Sequence, residues 1–450
     1  MLVALTTLGC KVNQSETEAL ARRFLAAGHH LTAFDAAADV YVINTCTVTH
    51  VADHKSRQLI RRAAAHAGAL VVVTGCYATT AAAEIAAIPG VGLVVGQADK
   101  ERLVELVEGL RGHAQGPTPS SATAVPAART RAFIKVQDGC DSFCTYCIVP
   151  FARGAPRSVP LAEVLAQVQE RVAAGCVEVV LTGVHLGLYG QETPLGLRQL
   201  VTAVLAETPI RRLRLSSIEP QDLLGLGEED LAAFFDLWQE RRLCRHLHLP
   251  LQSGCSATLQ RMGRRYTAAD YARLVAAARQ AIPDLAVTTD VIVGFPGESD
   301  AEFQASYDFA AALGCAKIHV FRFSPRQGTA AARMEPVSAR TMKERSAAML
   351  ALSEKGAAAF RRAFLGRTME VLWEEKVRSK RQGAGGQVEA PPAAYNVWTG
   401  LTDNYLRVYA ASAADLTNRL WPARLLAPHA DGLWGEVNVK REDVKREPYG

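Results

Sequence analysis

Long apolar runs are missing from this 450-residue chain. No segment approaches the roughly 20 consecutive apolar residues needed to span a bilayer, so a transmembrane helix is excluded. The first residues, Met1-Leu-Val-Ala-Leu-Thr-Thr-Leu-Gly-Cys10, lack a basic stretch ahead of the apolar one, and no secretory leader is expected. Strong charge of one sign is also absent. Fifty Lys+Arg against 45 Asp+Glu give a net charge of +5, which permits a nucleic-acid partner without demanding one. A hydrophobic fraction of 49% supplies cores for two to four domains.

Cysteine is what the chain does have, ten of them. Without a leader they suit a reducing, cytoplasmic compartment, where metal binding or catalysis is a better reading than disulfides. Six fall into two sets. Cys140, Cys144 and Cys147 form a compact C-x3-C-x2-C, whereas Cys10, Cys46 and Cys76 each follow an apolar run with strand character. Three thiolates per set leave a coordination position open. An iron–sulfur cluster with an open iron can bind a reactant, and two such sites suggest an enzyme that brings two metal-bound reactants together. Zinc is the competing reading for the compact set, but no fourth ligand lies nearby. Cys176, Cys244, Cys255 and Cys315 read as structural. His246 and His248 alternate on one strand face and suit packing or hydrogen bonding better than a metal pair.

Residues 1–111 alternate strand and helix: strands at 2–8, 39–44, 69–75 and 91–95, with a first helix from about Ser15, where Ser15 and Glu18 have capping-box spacing. This predicts a parallel α/β domain whose post-strand loops gather Cys10, Cys46 and Cys76 at one edge. Residues 112–129 read as a linker rich in Pro, Ala, Ser, Thr and Gly. From 130 to 365, six βα units have strands starting near Ala132, Val177, Arg211, Arg245, Leu285 and Lys317, and a long helix over 338–364 closes the unit. They predict a six-unit partial (β/α) barrel. Short alternating runs at 369–373, 395–399, 405–409 and 420–426 predict a small β-barrel over 366–442, and 443–450 is a tail.

The C-x3-C-x-aromatic-C spacing at the first strand of such a barrel resembles the radical S-adenosylmethionine (SAM) enzymes. The resemblance implies a 4Fe–4S cluster on Cys140, Cys144 and Cys147 whose open iron chelates SAM, which is cleaved to a 5′-deoxyadenosyl radical. It further implies SAM-site roles for Tyr146, Gly183, Ser217, Gln252 and Asp290. Leu181-Thr-Gly183 departs from the family's usual Gly-Gly-Glu. The domain order, with Gly400-Leu-Thr-Asp-Asn-Tyr-Leu-Arg-Val408 resembling a TRAM domain, is similar to the methylthiotransferases. There a second 4Fe–4S cluster, here on Cys10, Cys46 and Cys76, carries the sulfur. A low-potential electron donor and a sulfur source are implied partners.

Leu8-Gly-Cys-Lys-Val-Asn-Gln14, Asn44-Thr-Cys-Thr-Val-Thr49, residues 181–190 and His248-Leu-Pro-Leu-Gln-Ser-Gly-Cys255 resemble the bacterial branch acting on N6-threonylcarbamoyladenosine beside the tRNA anticodon. The isopentenyladenosine branch usually reads Gly-Cys-Gln-Met-Asn at the first string. Leu188 stands where serine is common in the threonylcarbamoyl branch. A ribosomal-protein substrate is a rival, although residues 361–450, with 14 Lys+Arg and 11 Asp+Glu, favour RNA. A noncatalytic zinc or iron–sulfur RNA-binding protein is a rival from another class. For the anticodon stem-loop, candidate phosphate contacts are Arg57, Arg61, Arg62, Arg153, Arg157, Arg367, Arg407, Arg419 and Arg424, and candidate base-stacking residues are Trp398 and Tyr405.

Overall fold

The computed structural model describes residues 1–111, 130–193, 195–377 and 395–437. The expected linker and tail, and parts of the expected third domain, lie outside them.

Five strands open the chain: β1 Leu2–Thr7, β2 His30–Thr32, β3 Val40–Thr45, β4 Leu70–Gly75 and β5 Val91–Val95. They form one parallel sheet in the order β2-β1-β3-β4-β5. All six residues of β3 are buried, as expected of a strand covered on both faces. Val42 and Val72 join a core with Leu20, Phe24 and Val107 on one face; Tyr41, Ile43 and Val73 join Ile60 and Ile85 on the other. The first helix, α1, spans Lys11–Ala26, with Cys10 as its N-cap. The expected start at Ser15 is corrected by a full turn. Ser15 lies inside the helix, and its hydroxyl accepts the Lys135 N–H (3.2 Å) instead of capping α1.

The central domain contains β6 Arg131–Lys135, a short antiparallel pair β7 Gln137–Asp138 and β8 Arg157–Ser158, then β9 Glu178–Thr182, β10 Arg212–Leu215, β11 His246–His248, β12 Ala286–Val293 and β13 Lys317–Arg322. Parallel pairing runs β6-β9-β10 and β11-β12-β13. Isolated bridges, Leu213↔Leu243 and Ser217↔His248, join the two halves into the expected six-stranded arc. The helix Ala339–Arg362 packs along β13 at the arc's open edge. There Ser353 Oγ accepts from the Ile318 N–H (3.0 Å) and donates to the Ile318 carbonyl (2.9 Å).

The last strands, β14 Thr368–Lys376, β15 Asn396–Thr402, β16 Arg407–Ser412, β17 Arg419–His429 and β18 Gly432–Glu436, close a barrel in the order β14-β15-β16-β18-β17. Four of its strands match the expected runs. β18 is additional, and its parallel pairing with β16 closes the barrel. Its five residues, two of them glycine, carry little alternating pattern.

The two outer domains attach to opposite ends of the arc. The α/β domain meets the C-terminal strand ends: Lys135 Nζ reaches Glu16 (3.1 Å), and Arg326, beyond β13, pairs with Asp53 (2.7 Å) and donates to Thr47 Oγ1 (2.6 Å). The small barrel meets the N-terminal ends. Arg212 donates to the carbonyls of Leu401 (3.0 Å) and Glu370 (2.8 Å), Arg214 to that of Asp403 (2.8 Å), and Arg245 pairs with the Asp403 carboxylate (2.6 Å).

Candidate functional site

The compact cysteine set occupies the loop beyond β7, at the end of the arc where such barrels gather ligands. Its shape is held from outside. Thr145 bonds the backbone at Arg261 and Met262 (2.9 and 3.1 Å), and the Cys147 N–H bonds the Cys144 carbonyl (2.9 Å). Burial pushes the Cys147 thiol up to about 12 and also raises Cys144. Sulfurs this desolvated become thiolates when a metal supplies the compensating charge. Cys140 is different. Burial raises it too, but hydrogen bonds from His185 (Nδ1, 3.4 Å) and Ser142 outweigh burial and lower it. His185 is itself lifted to about 10. Burial opposes its charge, while the hydrogen bond to Asp222 (Nε2 to Oδ2, 2.8 Å) and the one to Cys140 prevail. Arg264 lies 3.5 Å from Cys144 Sγ and 2.7 Å from Glu219. These groups line a cavity of about 310 Å³ together with Tyr146, Gln252, Asp290 and Phe321.

The scattered set is assembled by topology. Cys10, Cys46 and Cys76 follow β1, β3 and β4, three adjacent strands of the sheet. Two glycines allow the loops to converge. Gly9 has φ +105°, and a Cβ there would lie 2.7 Å from Cys46 Cβ and 3.0 Å from its sulfur. Gly75 has φ +97°, and a Cβ there would lie 2.3 Å from the Thr45 carbonyl oxygen. Burial pushes Cys46 up to about 12, and Cys76 and Cys10 raise it further. Cys76 is raised by burial as well.

Among the described residues, His248, Asp290 and His319 form the three-residue group of potential metal ligands whose donor atoms all lie within 4.8 Å of one another. Each cysteine triad supplies three free thiols as potential ligands.

A second cavity, of about 670 Å³, fills the barrel lumen. Cys10 and Lys11 line it from the α/β domain, Gly183, Ser217, His246, His248 and Asp290 from the arc, and Tyr405 from the small barrel. Asp290 and Phe321 belong to both cavities, so the two meet there. Of the residues expected around SAM, Tyr146, Gln252 and Asp290 lie beside the compact triad; Gly183 and Ser217 lie along the lumen. His185, Glu219 and Arg264 were not singled out by sequence reasoning, and Lys11 stood out only as a departure from the isopentenyladenosine branch's first string. His185 stands within the 181–190 string and Glu219 just beyond the end of β10, signals that could have found them. Arg264 lies in the helical unit after β11 and carried no such signal. His246 and His248 both bond Thr288 Oγ1 (2.9 Å each), in line with the hydrogen-bonding reading.

Two expected RNA contacts, Trp398 and Arg153, are corrected. Trp398 is 1% exposed in the small barrel's core and cannot stack on a base. Arg153 is 6% exposed and bonds Glu16 (2.9 Å), Asp138 (2.7 Å) and Asn13 (2.6 Å), as a tie between domains. Tyr405 faces the lumen, with Arg214 Cζ 4.1 Å from its ring centroid. Arg367 pairs with Asp284, Arg407 with Asp431, Arg57 with Glu84 and Arg62 with Asp35. Arg61, Arg62, Arg157, Arg367 and Arg424 remain exposed, Arg157 beside Asp138 (3.5 Å), and Arg419 is partly so.

An α/β domain capping a six-stranded arc with a three-cysteine loop at its first strand defines a radical SAM enzyme. The family model described as Radical SAM superfamily matches residues 134–310, and the one described as Uncharacterized protein family UPF0004 matches residues 2–96. Over 98% of both chains the sequence is 39% identical to the threonylcarbamoyladenosine tRNA methylthiotransferase MtaB of Bacillus subtilis. It is 35% identical to the tRNA-2-methylthio-N(6)-dimethylallyladenosine synthase of Novosphingobium aromaticivorans, over 84% of this chain and 88% of that one. The chain belongs to the radical SAM methylthiotransferase family. In fold it is similar to the radical SAM methyltransferase TsrM from Kitasatospora setae (TM-score 0.52, 17% identity, 71% of this chain and 74% of that one). No helix among the described residues is long and apolar enough to cross a membrane.

Proposed function

We propose that this protein inserts a methylthio group at C2 of N6-threonylcarbamoyladenosine beside the anticodon of tRNA, in the cytoplasm. The observation that carries the mechanism is the meeting of the two cavities at Asp290 and Phe321: Cys10 of one triad lines one cavity, and Cys140, Cys144 and Cys147 line the other. Cys140, Cys144 and Cys147 would hold a SAM-binding 4Fe–4S cluster, and Cys10, Cys46 and Cys76 a second one. Together with SAM these groups would supply radical formation, sulfur and methyl.

The chain's own residues do the positioning. Arg264 and Glu219 offer paired charge beside Cys144, matching the carboxylate and ammonium of a bound amino acid. Gln252 and Asp290 add polar contacts at the same wall. His185, a buried cation held by Asp222, offsets negative charge at Cys140. Tyr405 closes the lumen from below and keeps a seated base away from bulk water. Arg61, Arg157 and Arg424 are among the exposed cations that would meet an anticodon stem-loop, and the base would leave its stack to enter the lumen. A low-potential electron donor and a sulfur source complete the partners.

The 39% identity to a threonylcarbamoyladenosine enzyme across the whole chain favours that base over the dimethylallyl one. Mass spectrometry of tRNA nucleosides, in a strain lacking the gene and in the same strain complemented, tests it. The 2-methylthio derivative of N6-threonylcarbamoyladenosine should vanish and return. Loss of a dimethylallyl derivative instead, or of no nucleoside, points to the other tRNA base or to a ribosomal protein.

A further inference from the structure

The lumen contains an unpaired cation that cluster chemistry alone does not require. Lys11 directly follows Cys10, is only partly exposed, and lines the 670 Å³ cavity. Its ammonium makes no hydrogen bond or ion pair among the described residues. The acids that line the lumen are already engaged, Asp290 with His248 (3.3 Å), Glu354 with Arg361 (2.5 Å) and Asp431 with Arg407 (3.2 Å), as is Glu178 behind it, with Arg131 (2.5 Å) and Arg214 (2.9 Å). Two residues of the same wall carry further polar atoms. Ser216 Oγ and His246 Nδ1 are buried without a partner, on residues 4% and 5% exposed. A partly buried ammonium without a partner is costly unless a ligand or water satisfies it, and Ser216 and His246 add polar side chains to the same wall.

An apolar N6 substituent could satisfy none of these groups. A threonylcarbamoyl substituent offers a carboxylate, a hydroxyl and a urea-like amide. We propose that Lys11, with Ser216 and His246, forms the pocket that reads the N6 substituent, Lys11 pairing with its carboxylate. The inference rests on the proposed tRNA substrate and identifies what selects it. Rejection of a dimethylallyl group follows from the same charge, because that group would displace water from Lys11 and return nothing.

The test uses full-length enzyme with both clusters reconstituted anaerobically. Three anticodon stem-loops of one sequence carry N6-threonylcarbamoyladenosine, its carboxamide, or N6-dimethylallyladenosine; dissociation constants and methylthio product are measured for each. The phosphates are identical throughout, so a lysine that merely bound RNA backbone would treat the three alike. We expect wild type to favour the acid over the carboxamide by at least 10-fold, Lys11→Met to erase that preference, and Lys11→Arg to keep part of it. Equal handling of acid and carboxamide by wild type overturns the inference without any variant, so loss of a cluster from Lys11→Met cannot rescue it. Persistence of the full preference in Lys11→Met, with iron content intact, also overturns it and leaves the proposed function standing. Conversion of the dimethylallyl RNA alone would overturn the proposed function first, and this inference with it.

Discussion

The two cysteine triads reach similar ends by opposite means. Cys140, Cys144 and Cys147 sit within eight residues, so one loop nearly specifies their geometry, and the fold adds only braces such as Thr145 to Arg261. Cys10, Cys46 and Cys76 are spread over 67 residues (10 through 76) and meet because β1, β3 and β4 are neighbours and Gly9 and Gly75 permit close approach. A local site survives distant damage that an assembled site does not. The difference extends to surroundings: the local triad shares its cavity with the Arg264–Glu219 pair, and Cys10 of the assembled set opens on the larger lumen.

The largest expected effects separate the triads outright. Cys144→Ala should abolish SAM cleavage in reduced, anaerobic enzyme. Cys46→Ala should stop methylthio product while leaving some unproductive SAM cleavage, with iron per chain falling by about half if each triad holds a four-iron cluster. Full product from Cys46→Ala would remove the second triad from the reaction. Gly9→Ala probes assembly without replacing a ligand. The new methyl must displace Cys46, so iron should again fall by about half, whereas Cys140-triad SAM cleavage persists.

Next in size is the junction between the two sites. Glu16 is buried among Lys100 (2.6 Å), Arg153 (2.9 Å) and Lys135 (3.1 Å), drawn from both domains. Burial opposes its charge, but Lys100, Arg153 and Lys135 hold the carboxyl far below its usual range. Glu16→Gln leaves Lys100 without a carboxylate partner and Arg153 and Lys135 with Asp138 alone, and a loss of about 3–5 kcal/mol in urea unfolding is expected. A change below about 1 kcal/mol would mean that the apparent network is solvated.

Much of this was legible beforehand. Continuous apolar runs marked the buried parallel strands, and loops after them marked the ligand edge, because in α/β architecture both follow from how the chain must cross over. The start of α1 was misread because Ser15 and Glu18 mimic a cap, whereas tertiary contact with Lys135 uses Ser15 and the chain turns helical at the cluster loop. Trp398 and Arg153 misled for one reason. Sequence shows that a side chain can stack or bind phosphate, but only the fold shows that a core or a carboxylate already occupies it. Arg264 was invisible because its partner, Glu219, lies 45 residues away.

The opposite end of the arc sharpens the comparison through pH. Glu178 is fully buried between Arg214 and Arg131; burial alone would raise its carboxyl, yet the two arginines bring it from 4.5 to about 2. Because the folded value is depressed, the stability it contributes is complete above about 4.5 and is lost as pH falls from there through about 2. That linkage is worth on the order of 3 kcal/mol. Unfolding measured between pH 5 and 3 should fall more steeply for wild type than for Glu178→Gln, which lacks the titrating group; parallel slopes would assign the acid sensitivity elsewhere.

The smallest effect concerns the floor of the lumen. Tyr405 sits at φ +67°, with Arg214 Cζ 4.1 Å from its ring centroid and the His246 ring at 4.5 Å. The left-handed backbone is a cost that the stacked ring offsets, since the guanidinium gains a π face where water is scarce. No hydrogen bond to the phenol is seen among the described residues, so Tyr405→Phe should be nearly silent. Tyr405→Leu keeps apolar bulk but loses the π face, and should cost about 1–2 kcal/mol in unfolding. The same change should raise the Michaelis constant for tRNA more than it lowers SAM cleavage, because Tyr405 lines the lumen and not the smaller cavity. Were SAM cleavage to fall first, the division of labour between the two cavities would fail at its most exposed boundary.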